Sequence, residues 1–390
     1  MMKFFVFLVL FSTQLAFAQV PASSPPVPQL SSKSYLLVDF QSRQVLAARN
    51  PDERVEPASL TKLMATYVVF DALRQKRLTL AQPVTVSEKA WRAPGSRMFL
   101  KAWESVTIEE LLNGMIVQSG NDAAIALAEG VAGSEAAFVD AMNGEAARLG
   151  LKNTHFVNAT GLPHAQHYST ASDLAMLARA IIEEFPQYFP LYKVREFRHN
   201  NITQYNRNRL LGRDPFVDGM KTGYTESAGF CMVATAQRQD RRLIAVVIDA
   251  GSENGRAIDA QKLLNYGFEA YDTVKLYAAG QPIHALPVWK GNSNEVQAGL
   301  PNDYFVTLPK GYGERLKAAM ESMQPLMAPI HAGERVGTLR LTFDGKAFSE
   351  QSVVALQNVG IANVFVRVWH SLRLLARSLK FGDQGDSVIR

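Results

Sequence analysis

The spacing of apolar residues changes character three times along this 390-residue chain, and the order of those changes leaves few folds open. Residues 35–39 and 44–49 are short apolar-rich runs joined by Phe40-Gln41-Ser42-Arg43, which predicts a hairpin at the front. After Pro57-Ala58 the period becomes helical over 59–74, with Leu60, Leu63, Met64, Tyr67 and Val68 on one face. The same period returns over 107–115, 122–131, 135–149 and 172–184, the last two ending at Gly150 and ahead of Pro186. Strands are then predicted over 229–236 and 242–249, followed by a returning helix over 257–271. Strands at both ends with helices between predict an α/β sandwich, placed here at residues 34–280.

Beyond Gln281-Pro282 the texture turns to short alternating runs such as 304–308 and 339–343, punctuated by Gly291, Pro301, Gly333 and Asp344-Gly345. This predicts a separate all-β module over 281–358. Over 359–380 the helical period resumes, with Ile361, Phe365, Val368, Leu372, Leu375 and Leu379 on one face. Arg367, His370, Arg377 and Lys380 are expected on the other face, and the stretch has no acid. With Trp369 at the boundary, this composition suits a helix lying in an anionic lipid interface more than a terminal helix packed on a core. Residues 359–390 are therefore assigned to a membrane-association helix and tail. At the other end, Lys3, the uncharged run Phe4 to Phe11 and the small-x-small site Ala16-Phe17-Ala18 predict a secretory leader over 1–18. Its apolar run is too short to span a bilayer. The Pro- and Ser-rich residues 19–33 follow as a tether.

A single cysteine, Cys231, excludes an intrachain disulfide framework and a cysteine-rich metal site. The net charge of +5 is modest for this length, and with basic clustering confined to the C-terminus it gives no reason to expect a nucleic-acid partner. His164 and His167 have H-x-x-H spacing, but they follow Pro163 in a predicted loop without a carboxylate at ligand spacing, so no metal is expected.

Three short motifs stand in order: Ser59-Leu60-Thr61-Lys62, Ser119-Gly120-Asn121 and Lys221-Thr222-Gly223. Each alone reads equally well as a helix cap or a turn; Ser-x-Asn recurs at Ser252-Glu253-Asn254. Together they carry the chemistry of a serine acyl-transfer site. Ser59 and Lys62, three apart on a helix, share one face, so an amine can reach the hydroxyl it must deprotonate. Burial and a second cation, Lys221, would push Lys62 toward its neutral form. The Ser59 and Tyr224 backbone N–H groups are candidate oxyanion donors, and Gly223 would let substrate backbone approach a sheet edge. Lys221 and Thr222 can hold a carboxylate; Ser119 and Asn121 can relay a proton and hold the substrate amide.

Over nearly its whole length the chain resembles the low-molecular-mass penicillin-binding proteins, serine D-alanyl-D-alanine carboxypeptidases. Besides the three motifs, Val217-Asp218-Gly219-Met220-Lys221-Thr222-Gly223, Ser227-Ala228-Gly229-Phe230-Cys231 and, in the second module, Pro287-Val288-Trp289-Lys290-Gly291 are similar to that family. The resemblance implies the penicillin-recognising fold, an antiparallel sheet flanked by helices, and a periplasmic enzyme peripheral on the inner membrane. It implies Ser59 as nucleophile, Lys62 as general base, Ser119 and Asn121 as relay and holder, Lys221 and Thr222 as carboxylate ligands, and Arg256 as a further carboxylate anchor. The substrate would be peptidoglycan pentapeptide, β-lactams would be covalent inhibitors, and no cofactor is implied. Tyr224 departs from the histidine that many enterobacterial relatives carry after the glycine. A β-lactamase would need a Glu-x-x-Leu-Asn segment, which does not occur between Asn121 and Lys221. The same motifs would also serve a D,D-endopeptidase on the same fold, and a non-catalytic wall-binding protein would work through the β-module alone.

Overall fold

The protein is described here by a computed structural model covering residues 25–380 and 388–389. The leader assigned to 1–18 and the first part of the tether lie outside the described residues.

The front hairpin forms as expected, from β1 (Ser34–Asp39) and β2 (Val45–Arg49). Asp39 fixes the turn by accepting the Gln41 and Ser42 N–H groups at 3.1 and 3.0 Å, and Arg43 supplies the left-handed residue at φ 63°. Next come a single 3-10 turn, Ala58–Thr61, and α1 (Lys62–Arg74). Two short pieces, β3 (Pro83–Thr85) and α2 (Glu88–Trp91), precede β4 (Ser105–Thr107), α3 (Ile108–Val117), α4 (Asn121–Ala132), α5 (Glu135–Arg148) and α6 (Ala171–Glu184). The hairpin β5 (Glu196–His199) and β6 (Ile202–Tyr205) and the short α7 (Leu210–Arg213) lead back to β7 (Val217–Thr225), β8 (Gly229–Arg238), β9 (Arg241–Ala250) and α8 (Glu253–Ala270).

These strands make an antiparallel five-stranded sheet in the order β2-β1-β9-β8-β7. Both faces are covered, so β9 is buried almost throughout, and the period of two divides its side chains between two cores. Leu36, Val38, Val233, Ile244 and Val246 join α1, α3, α4 and α6 on one side; Leu37, Met232, Leu243, Ala245 and Val247 meet Leu263 and Leu264 of α8 on the other. Helix α8 starts four residues ahead of the sequence expectation, because the Ser252 side chain caps Gly255 N–H at 2.9 Å. That earlier start places Arg256 inside the first helical turn.

Strand β10 (Tyr271–Tyr277) carries the chain into an all-β region formed with β11 (Pro282–Trp289), β12 (Glu295–Gly299), β13 (Tyr304–Pro309), β14 (Leu316–Ser322), β15 (Leu326–Met327), β16 (Arg335–Phe343) and β17 (Lys346–Ala355). β10 pairs with β13, and this ribbon docks on the front hairpin: Thr307 N–H donates to Gln44 at 2.5 Å and the Thr273 hydroxyl to Asp39 at 2.6 Å. The main β-core contains Leu286, Val288, Val296, Leu339 and Val353.

Helix α9 (Val364–Lys380) follows. On its apolar face Phe365 is 87% exposed, and Val368, Trp369 and Leu372 are all more than half exposed. One expected position changes. His370, read as part of the polar outer face, is buried against the module, where its Nδ1 accepts Lys290 N–H at 2.8 Å and its ring meets Trp289 edge-on. The expected placements of Arg377, Leu379 and Lys380 concern side chains outside the described residues. Among the described residues, no helix is long and apolar enough to cross a membrane.

Candidate active site

The three motifs converge on a cleft of about 450 Å³ between the β7 edge and the α1, α3 and α4 layer. Ser59, Ser119, Asn121, Thr222, Gly223, Tyr224 and Arg256 line it. Lys62 and Lys221 lie buried beneath its floor. Ser59 sits in the 3-10 turn just before α1, so Lys62 opens the α-helix and its Nζ reaches Ser59 Oγ at 3.2 Å. Ala58, next to the serine, is held at φ 47°, and Ser119 at φ 64°, conformations that non-glycine residues enter only where the surroundings impose them.

The amine of Lys62 has two further acceptors, Asn121 Oδ1 at 2.7 Å and the Thr160 carbonyl at 2.6 Å. Asn121 is oriented by its own Nδ2, which donates to the Pro94 carbonyl at 2.6 Å. A neutral amine has two hydrogens and one lone pair. With the hydrogens on Asn121 and Thr160, the lone pair is left for the Ser59 hydroxyl. Burial lowers the Lys62 pKa to about 7; Asp122 opposes that drop and Arg207 adds to it. Lys221 is also held well below its ordinary value, first by burial and then by Lys62, Arg207 and Arg256. Its Nζ donates to the Thr222 carbonyl at 2.9 Å.

Lys221-Thr222-Gly223 lies at the sheet edge, as expected, but inside a separate edge strand, β7, that also holds Tyr224, rather than ahead of a single run from 224 to 236. The β7 edge meets the nucleophile turn closely: a Cβ on Gly223 would stand 3.1 Å from the Pro57 carbonyl and 3.3 Å from Leu60 N. Arg256 reaches the same strand, donating to the Gly223 carbonyl at 3.0 Å, and its guanidinium lies over Phe230, which stacks on Tyr224. Ser119 Oγ is buried without a hydrogen-bond partner, a polar atom left for something that enters the cleft.

Three residues and the partners of a fourth were not found from the sequence. Arg207 lines the cleft and is tied to the Gln118 carbonyl at 3.0 Å. Asp122 is buried and accepts the N–H groups of Met98, Phe99 and Leu100 at 3.0 to 3.2 Å, pinning that loop to the start of α4. Gly161, at φ +84°, lies so near the Ala58 carbonyl that a Cβ would stand 1.8 Å from it. His167 is the fourth. Its Nδ1 accepts Val157 N–H at 3.1 Å and its Nε2 meets Thr61 Oγ1 at 2.7 Å, so Nε2 carries the proton and neither nitrogen is free for a metal. Burial pushes this ring down to about 4. Among the described residues no group of three or more potential metal ligands occurs. Cys231 packs in the sheet core opposite Gly223, and burial raises its thiol to about 11.

A helix-flanked antiparallel sheet, with a serine and a buried lysine meeting at its edge strand, is the penicillin-recognising serine hydrolase fold. The D-alanyl-D-alanine carboxypeptidase family model matches residues 19–252, and the model of the penicillin-binding protein 5 C-terminal domain matches residues 271–360. The chain belongs to this carboxypeptidase family and is an enzyme of the serine-type hydrolase class. It is 40% identical to D-alanyl-D-alanine carboxypeptidase DacC of Escherichia coli (strain K12), over 93% of this chain and 92% of that one. It is 38% identical to DacA of the same strain, over 90% and 89%. Among solved structures, penicillin-binding protein 5 from Haemophilus influenzae superposes with a TM-score of 0.84 at 39% identity, covering 86% of this chain and 99% of that one.

Proposed function

We propose that the chain removes the terminal D-alanine of peptidoglycan pentapeptides, with Ser59 as nucleophile and Lys62 as its general base. Lys62 takes the Ser59 proton as the oxygen attacks the penultimate D-alanine carbonyl; the Ser59 and Tyr224 N–H groups receive the developing oxyanion. Ser119 gives its proton to the departing amine and takes the one Lys62 holds, free D-alanine leaves, and water then cleaves the ester, giving one proton through Lys62 to Ser59. Asn121 holds the substrate amide beside Gly223, while Lys221, Thr222 and Arg256 take the terminal carboxylate. The observation that carries this reading is the Lys62 amine, whose other hydrogen-bond partners leave its lone pair to Ser59. β-Lactams would acylate the same serine.

The same reading takes residues 1–18 as a leader that exports the chain to the periplasm, 19–33 as a tether, 34–280 as the catalytic domain and 281–358 as a β-module. It takes 359–390 as the segment that rests on the inner-membrane surface, supported by the exposed apolar stripe of α9. Intact mass after brief exposure to benzylpenicillin, with D-alanine release from a pentapeptide measured alongside, tests the chemistry. One adduct per chain and D-alanine release, both absent in Ser59→Ala, are expected. Rapid penicillin turnover without D-alanine release would instead make the chain a β-lactamase. Co-sedimentation with anionic vesicles, with and without residues 359–390, tests the membrane assignment, and equal binding by both forms would refute it.

A further inference from the structure

Beside the cleft, two segments far apart in sequence are stitched into one lip. Asn200 at the β5–β6 turn donates to the Phe99 carbonyl at 3.1 Å, and Gln204 donates to the Arg97 carbonyl at 3.0 Å. The lip is continuous with the cleft on both sides: Gly95 and Ser96 line the cleft at one end of the loop, and Arg207 lines it two residues beyond Tyr205. It displays Phe99 and Tyr205 to solvent at 48% and 68% exposure, and Trp103, four residues along the chain from Phe99, is 72% exposed.

This display is held in place rather than left over from a loose loop. Phe99 and Trp103 adopt left-handed φ angles of 69° and 66°, while the neighbouring Met98 and Leu100 are buried, so the backbone turns one side chain out between two that anchor it. Asp122 takes the N–H groups of all three residues 98 to 100. The segments that carry the rings also carry exposed polar residues: Lys101 in the loop, Arg198, Asn201 and Thr203 on the hairpin, and Glu196, which pairs with Tyr205.

We propose that this lip binds the glycan strand from which the substrate peptide hangs. A pyranose ring has an apolar C–H face edged by hydroxyl groups. That shape matches outward-facing aromatic rings carried beside amides, a hydroxyl and charged groups of both signs, and exposed apolar patches rimmed by polar groups mark binding surfaces. The lip adjoins the cleft that receives the peptide terminus, so the polymer is the occupant that reaches both. The exposed apolar residues of α9, on the helix that packs its His370 on the β-module, belong to another element.

This inference rests on the carboxypeptidase reading, and the test separates the two. The full chain and a Phe99→Ser/Tyr205→Ser variant are compared on a soluble pentapeptide, on intact pentapeptide-rich sacculi, and in co-sedimentation with glycan strands stripped of peptide. The variant should retain the soluble-peptide rate while losing about fivefold or more in both polymer turnover and glycan binding. Equal glycan binding by both proteins overturns the inference. So does a parallel fall of soluble and polymer rates, or a wild-type dimer in ultracentrifugation that the variant cannot form, since the lip would then serve the catalytic site or a second copy. Failure of the unmutated chain on the soluble peptide overturns the carboxypeptidase reading instead, and glycan binding is scored independently of it.

Discussion

If Lys62 is the base, acylation of Ser59 follows the fraction of its amine that is neutral, and the pH dependence can be worked from the structure. The amine is fully buried and its pKa is lowered to about 7 from 10.5, chiefly by desolvation. That drop corresponds to about 5 kcal/mol against the charged form. Deprotonation is therefore half complete near neutrality, and the second-order acylation rate should fall about tenfold for each pH unit below 7, to about a hundredth of its plateau near pH 5. Penicillin keeps its carboxylate ionised over this range, so the limb belongs to the enzyme. Stopped-flow or quenched acylation by a fluorescent penicillin between about pH 5 and pH 8 measures it. Lys62→Arg keeps a cation that cannot deprotonate and should lose about 10²- to 10⁴-fold in rate. A flat profile, or the same limb persisting in Lys62→Arg, would refute Lys62 as the base. Thermal stability supplies a second check with a fixed sign. The folded amine binds fewer protons than the unfolded one between about pH 7 and pH 10.5, so Lys62's contribution makes the protein more stable as pH rises through that window.

Two neighbours should move this limb in opposite directions. Arg207→Gln removes a cation that lowers the Lys62 pKa, so the acid limb shifts to higher pH; Asp122→Asn removes a carboxylate that raises it, so the limb shifts lower, and the same pH–rate assay reads both. Asp122→Asn should also loosen the 98–100 loop, seen as faster amide hydrogen exchange there, because an amide cannot accept all the N–H groups the carboxylate holds. Gly161→Ala should cost more than about 2 kcal/mol in denaturant unfolding, since its Cβ meets backbone at a left-handed φ, and should slow acylation because the obstructed carbonyl belongs to Ala58. Arg256→Ala should raise KM for the pentapeptide about ten- to a hundredfold, the worth of a hydrogen bond to a charged group, with a smaller effect on kcat.

The Ser59–Lys62 pair was legible because a helical turn brings residues three apart together whatever else the chain does. Ser119, Asn121 and Lys221 were legible as residue types, but their meeting with Lys62 depends on how α3 and α4 pack on β7, which no local pattern encodes. Arg207 illustrates the limit, since nothing in the residues around it distinguishes it from the other surface-type arginines, and the β5–β6 hairpin and its bonds to the Val117 and Gln118 carbonyls bring it to the cleft. The hairpin did leave a signal, for Asn200-Asn201 sits at its turn with φ 48° and 62°, values that asparagine tolerates. Asp122 resembled a helix cap, and locally it is near one; its work on residues 98 to 100 is long-range. His370 fell on the polar arc of α9 by period, yet its ring is drawn to Lys290 and Trp289 because a neighbouring backbone N–H needs an acceptor there.

The cleft gathers four basic groups, Lys62, Lys221, Arg207 and Arg256; burial lowers Lys62, Lys221 and Arg256 first, and repulsion from neighbouring cations lowers each of them further. Such a cluster is unfavourable without an anion, and a terminal carboxylate supplies one. The arriving charge must do two opposed things, however. By linkage it raises the pKa of every amine it approaches, which helps Lys221 stay charged to hold it but works against the neutral form of Lys62. The fold separates these effects by position. Thr222 and Arg256 lie on the β7 and α8 side of the cleft, whereas the Lys62 amine is fastened on the other side by Asn121 and Thr160. A substrate anchored beside Arg256 therefore meets the cationic wall at the β7 edge, through groups other than the Asn121 and Thr160 oxygens that hold the base. On saturation with a substrate anchored in this way, the acylation limb should lie close to that of the free enzyme, and a rise of about one pH unit or more on saturation would show that the anchored carboxylate reaches the base.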